Sequence, residues 1–165
     1  MPFDAVCLQA VLQELRPRLL GLRIDKVQQP ARDQVILLLR GNQRLLLNAG
    51  ANAPRIQLTE LTRDNPAEPP MFCMLLRKHL SGARIVEFRQ VGLDRVLQIV
   101  FETRNEMGDL VRLIGSMEIM GRHSNFILVG EDGRVIDSIK RIDDTMSSVR
   151  PVLPGMLYTL PPAQD

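Results

Sequence analysis

The sequence predicts an α+β domain in which an antiparallel β-sandwich or barrel-like core is flanked by helices. Short apolar runs follow one another along most of the chain and are separated by turn residues such as Gly41-Asn42 and Asp132-Gly133, a pattern typical of antiparallel strands. Two segments instead repeat apolar residues at helical spacing. The regular alternation of strand and helix that builds a parallel nucleotide-binding sheet is absent from this pattern.

Each predicted helix has a signal at its start. Asp4 can cap the first helix, whose apolar residues recur at helical spacing over positions 6–15. Pro17 is predicted to kink or end this helix, because proline lacks the backbone N–H donor. The second helix is predicted over Met71–Leu80, where two prolines come at the start, a position that tolerates them.

The strands are predicted from apolar runs that glycine, proline, asparagine or aspartate interrupt. The first strand is predicted to end at Pro30, and residues 60–70, which contain three prolines, are predicted to form a surface loop. The predicted strands are Leu22–Gln29, Gln34–Arg40, Gln43–Asn48, Arg55–Thr59, Ile85–Gln90, Arg95–Phe101, Leu110–Met120, Phe126–Val129 and Val135–Ile142.

One domain, residues 1–150, and a proline-rich exit linker, residues 151–165, are predicted. A chain of this length buries about 70% of its unfolded surface, which is enough for one core. After Val149 the chain holds four prolines and few core-forming side chains, a composition typical of a linker.

Arginine dominates the basic residues: 18 of the 21 are Arg, and the formal net charge is +2. The planar guanidinium suits phosphate and carboxylate partners, although a GC-rich genome would also favour arginine codons throughout. Residues 71–95 hold five basic against two acidic residues, whereas residues 104–150 hold seven against eight. A basic face is therefore predicted to be centred on the middle of the chain.

Several functional motifs are missing from the sequence. The chain has no GxxxxGK[ST] loop, no GxGxxG turn and no GxSxG nucleophile elbow. Cys7 and Cys73 are predicted to be buried free thiols, and no metal or other cofactor is expected because the histidines and cysteines lack ligand spacing. The apolar runs are too short for a membrane span and no signal peptide is visible, so we expect a cytoplasmic protein without a membrane partner or a small-molecule substrate.

The bend Glu118–Asn125 carries many different hydrogen-bonding groups. Its polar residues either satisfy loop backbone groups or read a single-stranded RNA loop by stacking and by hydrogen bonds to base edges. Arg95 falls into the apolar phase of its strand, so we expect it to lie at the strand mouth or to pair with a carboxylate. For Arg95, a structural ion pair and a polar edge that holds a nucleic-acid or peptide partner both stay open.

A base-excision reaction is a further hypothesis. Removal of Met1 would expose the secondary amine of Pro2, which can form a Schiff base. Glycosylases that use an N-terminal proline in this way place a glutamate directly after it, whereas this chain has Phe3. The alternative is a proline that merely precedes a helix cap.

A set of sequence runs, taken in order, resembles one family: Met1–Asp4, Gly21–Val27, Ala53–Thr59, Pro69–Lys78, Gly92–Arg95, Glu118–Asn125, Asp137–Arg141, Leu153–Gly155 and Tyr158. In these runs the chain resembles the N-terminal domain of the NFACT family. That family comprises the bacterial RqcH and eukaryotic NEMF-type ribosome quality-control factors, and its bacterial members were long called fibronectin-binding protein A. One departure is Gly115-Ser116 in a strand that is normally apolar, which indicates a bulge or a close backbone approach.

The resemblance implies a non-catalytic tRNA-binding module. Such a factor recruits alanyl-tRNA to a large ribosomal subunit that carries a stalled peptidyl-tRNA, for C-terminal alanine tailing. It also implies a fold similar to the N-terminal domain of formamidopyrimidine-DNA glycosylase and further domains downstream; a fibronectin-binding, adhesin-like module is the alternative function. The residues that the resemblance implies for tRNA binding are Asp4, Asp94, Arg95, Glu118, Ile119 and Met120, and the bend adds Arg122 and His123.

Overall fold

The computed structural model describes residues 5–51, 54–60, 66–91, 95–143 and 150–161, without the side chains of residues 5–7. Within these ranges the chain forms two α-helices, nine β-strands and a 3₁₀ turn at Gly121–His123. In chain order the elements are α1 (Ala5–Leu19), β1 (Ile24–Ala31), β2 (Gln34–Leu39), β3 (Gln43–Asn48), β4 (Arg55–Leu58), α2 (Met71–Leu80), β5 (Arg84–Gln90), β6 (Val96–Arg104), β7 (Leu110–Glu118), β8 (Asn125–Val129) and β9 (Val135–Ser138).

The strands form two antiparallel sheets, which confirms the predicted α+β class. The first sheet has the order β1-β2-β3-β4 and the second has the order β5-β6-β7-β8-β9. At one corner the start of β1 meets the start of β5: Ile24 N–H donates to Ala83 O at 2.8 Å, and Ile85 N–H donates to Leu22 O at 3.0 Å. These hydrogen bonds join the sheets at that corner, while the likeness to the glycosylase domain stays a prediction.

The main core is built from the two helices and the facing sides of the two sheets. α1 places one leucine per turn, from Leu8 to Leu19, against this core. α2 packs on β1, β6 and β9, and its Phe72 ring stands edge-on to Phe126 with 6.3 Å between the ring centroids. Full burial of an aliphatic or aromatic side chain contributes about 1.5–3 kcal/mol, so this core fixes how the two sheets meet.

Gly115 lies where two aromatic rings approach the middle of β7. A Cβ atom at this position would lie 2.8 Å from a ring carbon of Phe126 and 2.9 Å from a ring carbon of Phe101. The register runs without a shift through Gly115 on both sides, so the strand contains no bulge there. The sequence indicated either a bulge or a close approach to the backbone here, and the structure shows the close approach, by the rings of Phe101 and Phe126.

The outer face of the second sheet is covered by the segment 150–161. Val152 is buried there with Ile127 and Val129, and Tyr158 packs against the same cluster. Val135 N–H of β9 donates to Met156 O at 2.7 Å. Residues 151–161 therefore pack on the domain, in contrast to the linker that the composition predicts, because a few well-placed side chains suffice to hold a proline-rich segment. The domain boundary at residue 150 stays a prediction.

Two prolines lie within the elements that they were predicted to kink or end. α1 continues past Pro17 to Leu19, so this proline does not end the helix. β1 continues through Pro30 to Ala31, because β1 is an edge strand and its register with β2 shifts after Gln28. Within the described residues no helix is long and apolar enough to cross a membrane.

The predicted strand over Val135–Ile142 is shorter in the structure and ends at Ser138. The chain turns there because Ser138 Oγ donates to Lys140 O at 2.7 Å, and Lys140 N–H donates to Asn125 Oδ1 at 3.1 Å. This turn brings Lys140 to the end of the sheet.

Candidate functional site

In the second sheet several predicted site residues come together at one end. β6 begins where β7 ends and where β8 begins, because Val96, Glu118 and Asn125 lie opposite one another in the register. Ile119 N–H donates to Arg95 O at 2.8 Å, which ties the residue before β6 to the residue after β7. The antiparallel pairing thus brings two separate runs of the sequence into contact.

The first sheet ends at the same side of the molecule. Asn48 of β3 and Arg55 of β4 lie opposite each other at this level. Lys140 Nζ donates to Ala49 O at 2.6 Å, a hydrogen bond that joins the ends of the two sheets. We call this side the cationic end, and it contains Arg32, Arg55, Arg95, Arg122, Lys140 and Arg141.

Arg95 lies at the strand mouth, immediately before β6, and is partly exposed. Of the two placements that the sequence allowed for Arg95, at the strand mouth or paired with a carboxylate, the structure shows the strand mouth. Ile119 is buried in the main core, and Met120 is partly exposed at the start of the bend. Asp4 and Asp94 lie outside the described residues, so their predicted roles stay predictions.

Glu118 is buried and fully engaged within the domain. Its two carboxylate oxygens accept hydrogen bonds from Arg150 at 2.9 and 2.5 Å, and Tyr158 Oη donates to Glu118 Oε2 at 2.6 Å. Ser116 Oγ lies 2.7 Å from Tyr158 Oη. Burial, reinforced by the Glu118 carboxylate, raises the pKa of Tyr158, so the phenol stays a donor. This geometry gives Glu118 a role in holding the segment 150–161 on the sheet.

The bend after β7 is held by its own polar side chains. Ser124 Oγ accepts from Met120 N–H at 2.8 Å and donates to Gly121 O at 2.7 Å. Asn125 Nδ2 donates to Lys140 O at 3.0 Å. Of the two interpretations of the bend, satisfaction of loop backbone groups therefore applies to Ser124 and Asn125, which are both buried. Arg122 and His123 instead point their exposed side chains outward, with Arg122 Nε 3.4 Å from His123 Nε2.

Lys140 is the functional candidate that the sequence interpretation missed. Besides Ala49 O, its ammonium lies 3.4 Å from Arg122 O, so it joins the bend to the first sheet. Burial lowers its pKa; the nearby Arg32 acts in the same direction, and Asp33 opposes it. The available signal was a lysine in the run Asp137–Arg141, in a chain where nearly all cations are arginine.

The first sheet supplies two more cations that the sequence did not single out. Arg32 is exposed in the turn between β1 and β2. Arg55 is partly exposed at the start of β4, and among the described residues its buried Nε has no hydrogen-bond partner. Arg141 is already engaged, because it binds both oxygens of the buried Asp137 at 3.0 and 2.9 Å.

The basic face predicted for the middle of the chain does not form as expected. Arg77 Nε donates to Val27 O at 2.9 Å, and Lys78 lies 3.9 Å from Glu106. Arg89 pairs with Glu87 on its own strand. These three cations are therefore engaged locally. Arg95 instead lies at the cationic end, with cations from loops distant in sequence.

The thiol of Cys73 is buried, as predicted, and burial raises its pKa. The thiol of Cys7 lies among the side chains that are not described. Among the described residues no group of three or more His, Cys, Asp or Glu side chains is arranged to hold a metal ion.

Comparison with known proteins gives relatives over the whole chain. Residues 4–165 match the family model described as NFACT N-terminal and middle domains. The protein named Rqc2 homolog RqcH from Bacillus subtilis is 44% identical over 169 residues, which cover 100% of this chain and 30% of that protein. The human protein named ribosome quality control complex subunit NEMF is 34% identical over 102 residues, covering 60% of this chain and 9% of that protein.

Solved structures share the fold closely. The N-terminal domain of fibronectin-binding protein PavA from Streptococcus pneumoniae superposes with a TM-score of 0.93 at 41% identity, covering 98% of this chain and 62% of that chain. The fibrinogen-binding protein from Staphylococcus aureus gives a TM-score of 0.85 at 34% identity, covering 99% and 58%. The chain spans less than a third of the length of the Bacillus relative. With its family model matched over nearly its whole length, the chain belongs to the NFACT family.

Proposed function

We propose that this chain is a non-catalytic tRNA-binding module of a cytoplasmic ribosome quality-control factor. In the full-length protein, the module helps to recruit alanyl-tRNA to a large ribosomal subunit with a stalled peptidyl-tRNA, where C-terminal alanine tails are added. Family membership supports a role in ribosome quality control, because relatives carry the names RqcH and ribosome quality control complex subunit. Because the chain spans 30% of the Bacillus relative, its contribution is one part of that process.

The observation that carries the tRNA proposal is the cationic end. There the strand pairing sets Arg95 beside Ile119, and the bend presents Arg122 and His123 with exposed side chains. Phosphate contacts by arginine and lysine dominate the affinity of nucleic-acid binding. Arginine and histidine also stack on the unpaired bases of RNA loops. The low aromatic content, 4% of residues, favours this mode over an aromatic stacking platform.

A binding titration with a transcribed alanine tRNA tests the proposal. We expect affinity to fall steeply with salt, because bound phosphates release counterions. Arg95→Gln should weaken binding by roughly 1–3 kcal/mol if its guanidinium makes a bidentate contact. Arg84→Gln is the matched control, an exposed arginine at the start of β5 at the opposite end of the sheet. Equal losses for both variants would contradict a specific role for Arg95.

A domain exchange tests the wider process. The Bacillus RqcH gene would carry this chain in place of its own N-terminal domain, and alanine tails on a stalled reporter protein would be measured. We expect the exchange to retain tailing and the exchange with Arg95→Gln to lose most of it. Tailing that is unaffected by Arg95→Gln and Arg122→Gln together would count against this use of the cationic end.

A second candidate function is a fibronectin-binding, adhesin-like module. The observation that favours it is the name of the similar solved structures, which include the fibronectin-binding protein PavA. Immobilised fibronectin would be used to capture the purified chain at physiological salt, with a tRNA filter-binding assay on the same preparation. Saturable capture by fibronectin without any tRNA binding would favour this second function over the first.

A further inference from the structure

Lys140 lies at the junction of three loops at the cationic end. Its ammonium donates to Ala49 O at 2.6 Å, after β3, and lies 3.4 Å from Arg122 O in the 3₁₀ turn. An ammonium carries three N–H donors, and these two carbonyls use two of them. A cation held in this way is positioned before any ligand arrives, so it loses little conformational freedom on binding.

Two exposed arginines belong to loops that meet at this ammonium. Arg122 extends from the 3₁₀ turn whose carbonyl Lys140 contacts. Arg32 directly precedes Asp33, whose carbonyl accepts from the N–H of Ala49 at 2.8 Å, and Ala49 O is the acceptor that holds Lys140. Asp33 is the carboxylate beside Lys140, and it offsets part of the positive charge. The three cations still exceed this one acid, so the junction attracts anions.

The loop 48–50 allows this close assembly. Asn48 Oδ1 accepts from Gly50 N–H at 2.8 Å, and a Cβ at Gly50 would lie 2.8 Å from Asp33 Oδ2 and 2.9 Å from Asn48 Oδ1. The glycine therefore lets Asp33 and Asn48 press against the backbone directly beside the carbonyl that Lys140 binds. These contacts hold the loop that carries Ala49 O, the acceptor of Lys140, in place.

We infer that Arg32, Arg122 and Lys140 form a subsite for the backbone phosphates of a folded RNA, an inference that rests on the proposed tRNA-binding function. The two arginines belong to separate loops, both of which meet at the ammonium of Lys140, and three cations drawn from separate loops suit successive phosphates along a strand. The planar forks of the arginines match the phosphate group in geometry as well as charge. Arg95, at the mouth of β6, then meets the same RNA at a second point.

The salt dependence of binding separates phosphate contacts from other effects. The double variant Arg32→Gln/Arg122→Gln would be compared with Arg18→Gln/Arg84→Gln. These two exposed arginines lie where α1 ends and β5 begins, at the opposite end of the sheets, which we call the far end. Dissociation constants for a transcribed alanine tRNA would be measured over a series of KCl concentrations. Loss of two phosphate contacts should reduce the slope of log affinity against log salt by roughly 1.4–1.8. We also expect binding at low salt to weaken by about tenfold or more, with the control pair close to wild type.

The possible outcomes distinguish failure of this subsite from failure of the proposed tRNA-binding function on which it rests. Steep salt dependence in the wild type with equal slopes in both double variants would overturn the subsite and leave tRNA binding in place. A wild type that does not bind tRNA would overturn both. Polyglutamate of similar charge serves as a competitor: displacement of the RNA by polyglutamate at equal charge concentration would overturn the assignment to RNA phosphate. Matching thermal melts of the variants, which change exposed side chains alone, exclude loss of folding.

Discussion

The two ends of the paired sheets differ in the groups that bind their charged side chains. At the far end, exposed cations lie beside exposed or partly exposed carboxylates: Arg40 is 3.2 Å from Asp25, and Arg112 is 3.6 Å from Glu102. At the cationic end Lys140 is held by backbone carbonyls instead, and Arg32 and Arg122 extend from the same junction. Charge that is neutralised in local pairs gives little net field, whereas Lys140, with Arg32 and Arg122 nearby and only partly offset by Asp33, keeps a net positive charge for an anionic partner.

The carboxylates of the two ends also differ in burial. The Glu118 side chain is 1% exposed, and its partner Arg150 is 13% exposed, whereas Glu102 and Arg112 are 25% and 64% exposed. Loss of one partner from a buried pair leaves an uncompensated charge, but an exposed pair is screened by water. Glu118, at the cationic end, therefore stabilises the fold through Arg150, and the exposed cations of that end, Arg32 and Arg122, remain available to a ligand.

The largest expected effect is that of Glu118→Gln on stability. The change leaves Arg150 buried without its carboxylate and weakens the bond from Tyr158, so we expect a loss of about 3–5 kcal/mol. Glu102→Gln, the matched change at the far end, should cost about 0–1 kcal/mol. Urea unfolding followed by the fluorescence of Tyr158, the single tyrosine in a chain without tryptophan, measures both. If Glu118→Gln weakened tRNA binding while leaving stability intact, Glu118 would instead contact the ligand.

A smaller effect is expected in the strand that connects the two ends. Gly115→Ala would force a methyl group against the rings of Phe101 and Phe126, and overpacking of this kind costs about 1–3 kcal/mol. Gly130→Ala is the control, because its nearest neighbour is the Asp132 side chain at 3.0 Å, which can move. The urea midpoints of the two variants give the comparison. Equal stability for both would mean that the rings yield and that close packing at Gly115 is not required.

Local features of the sequence predicted the elements well, because each depends on its own residues. Helical spacing and the turn signals placed α2 and β3 at the residues where they occur. A glycine in an apolar strand indicated the close approach at Gly115. Family resemblance added the runs around Arg95 and Glu118, and strand pairing brings these runs together.

The parts that were missed depend on contacts between distant residues. Glu118 and Arg150 are 32 residues apart, and Lys140 reaches a carbonyl 91 residues earlier in the chain. Periodicity along the chain cannot predict either contact, because the first depends on how the segment 150–161 packs on the second sheet and the other on how the two sheets meet. Composition likewise predicted a linker after residue 150, although the bonds of Arg150 and Tyr158 to Glu118 hold that segment on the sheet.

The smallest effect is expected from His79, in α2. Burial, reinforced by Lys78, lowers its pKa below the ordinary value of 6.5, although Glu106 opposes this. Below that pH the unfolded chain binds more protons than the folded one, so stability falls as pH drops through 6.5 toward the lower folded pKa. Urea midpoints at about pH 7.5 and about pH 5.5 bracket this window. His79→Gln should reduce the acid-induced loss, whereas His123→Gln, which changes an exposed ring at the cationic end, serves as the control. An acid-induced loss that is unchanged by His79→Gln would show that carboxylates alone set the acid sensitivity, and that the far end stores no proton-linked free energy in this histidine.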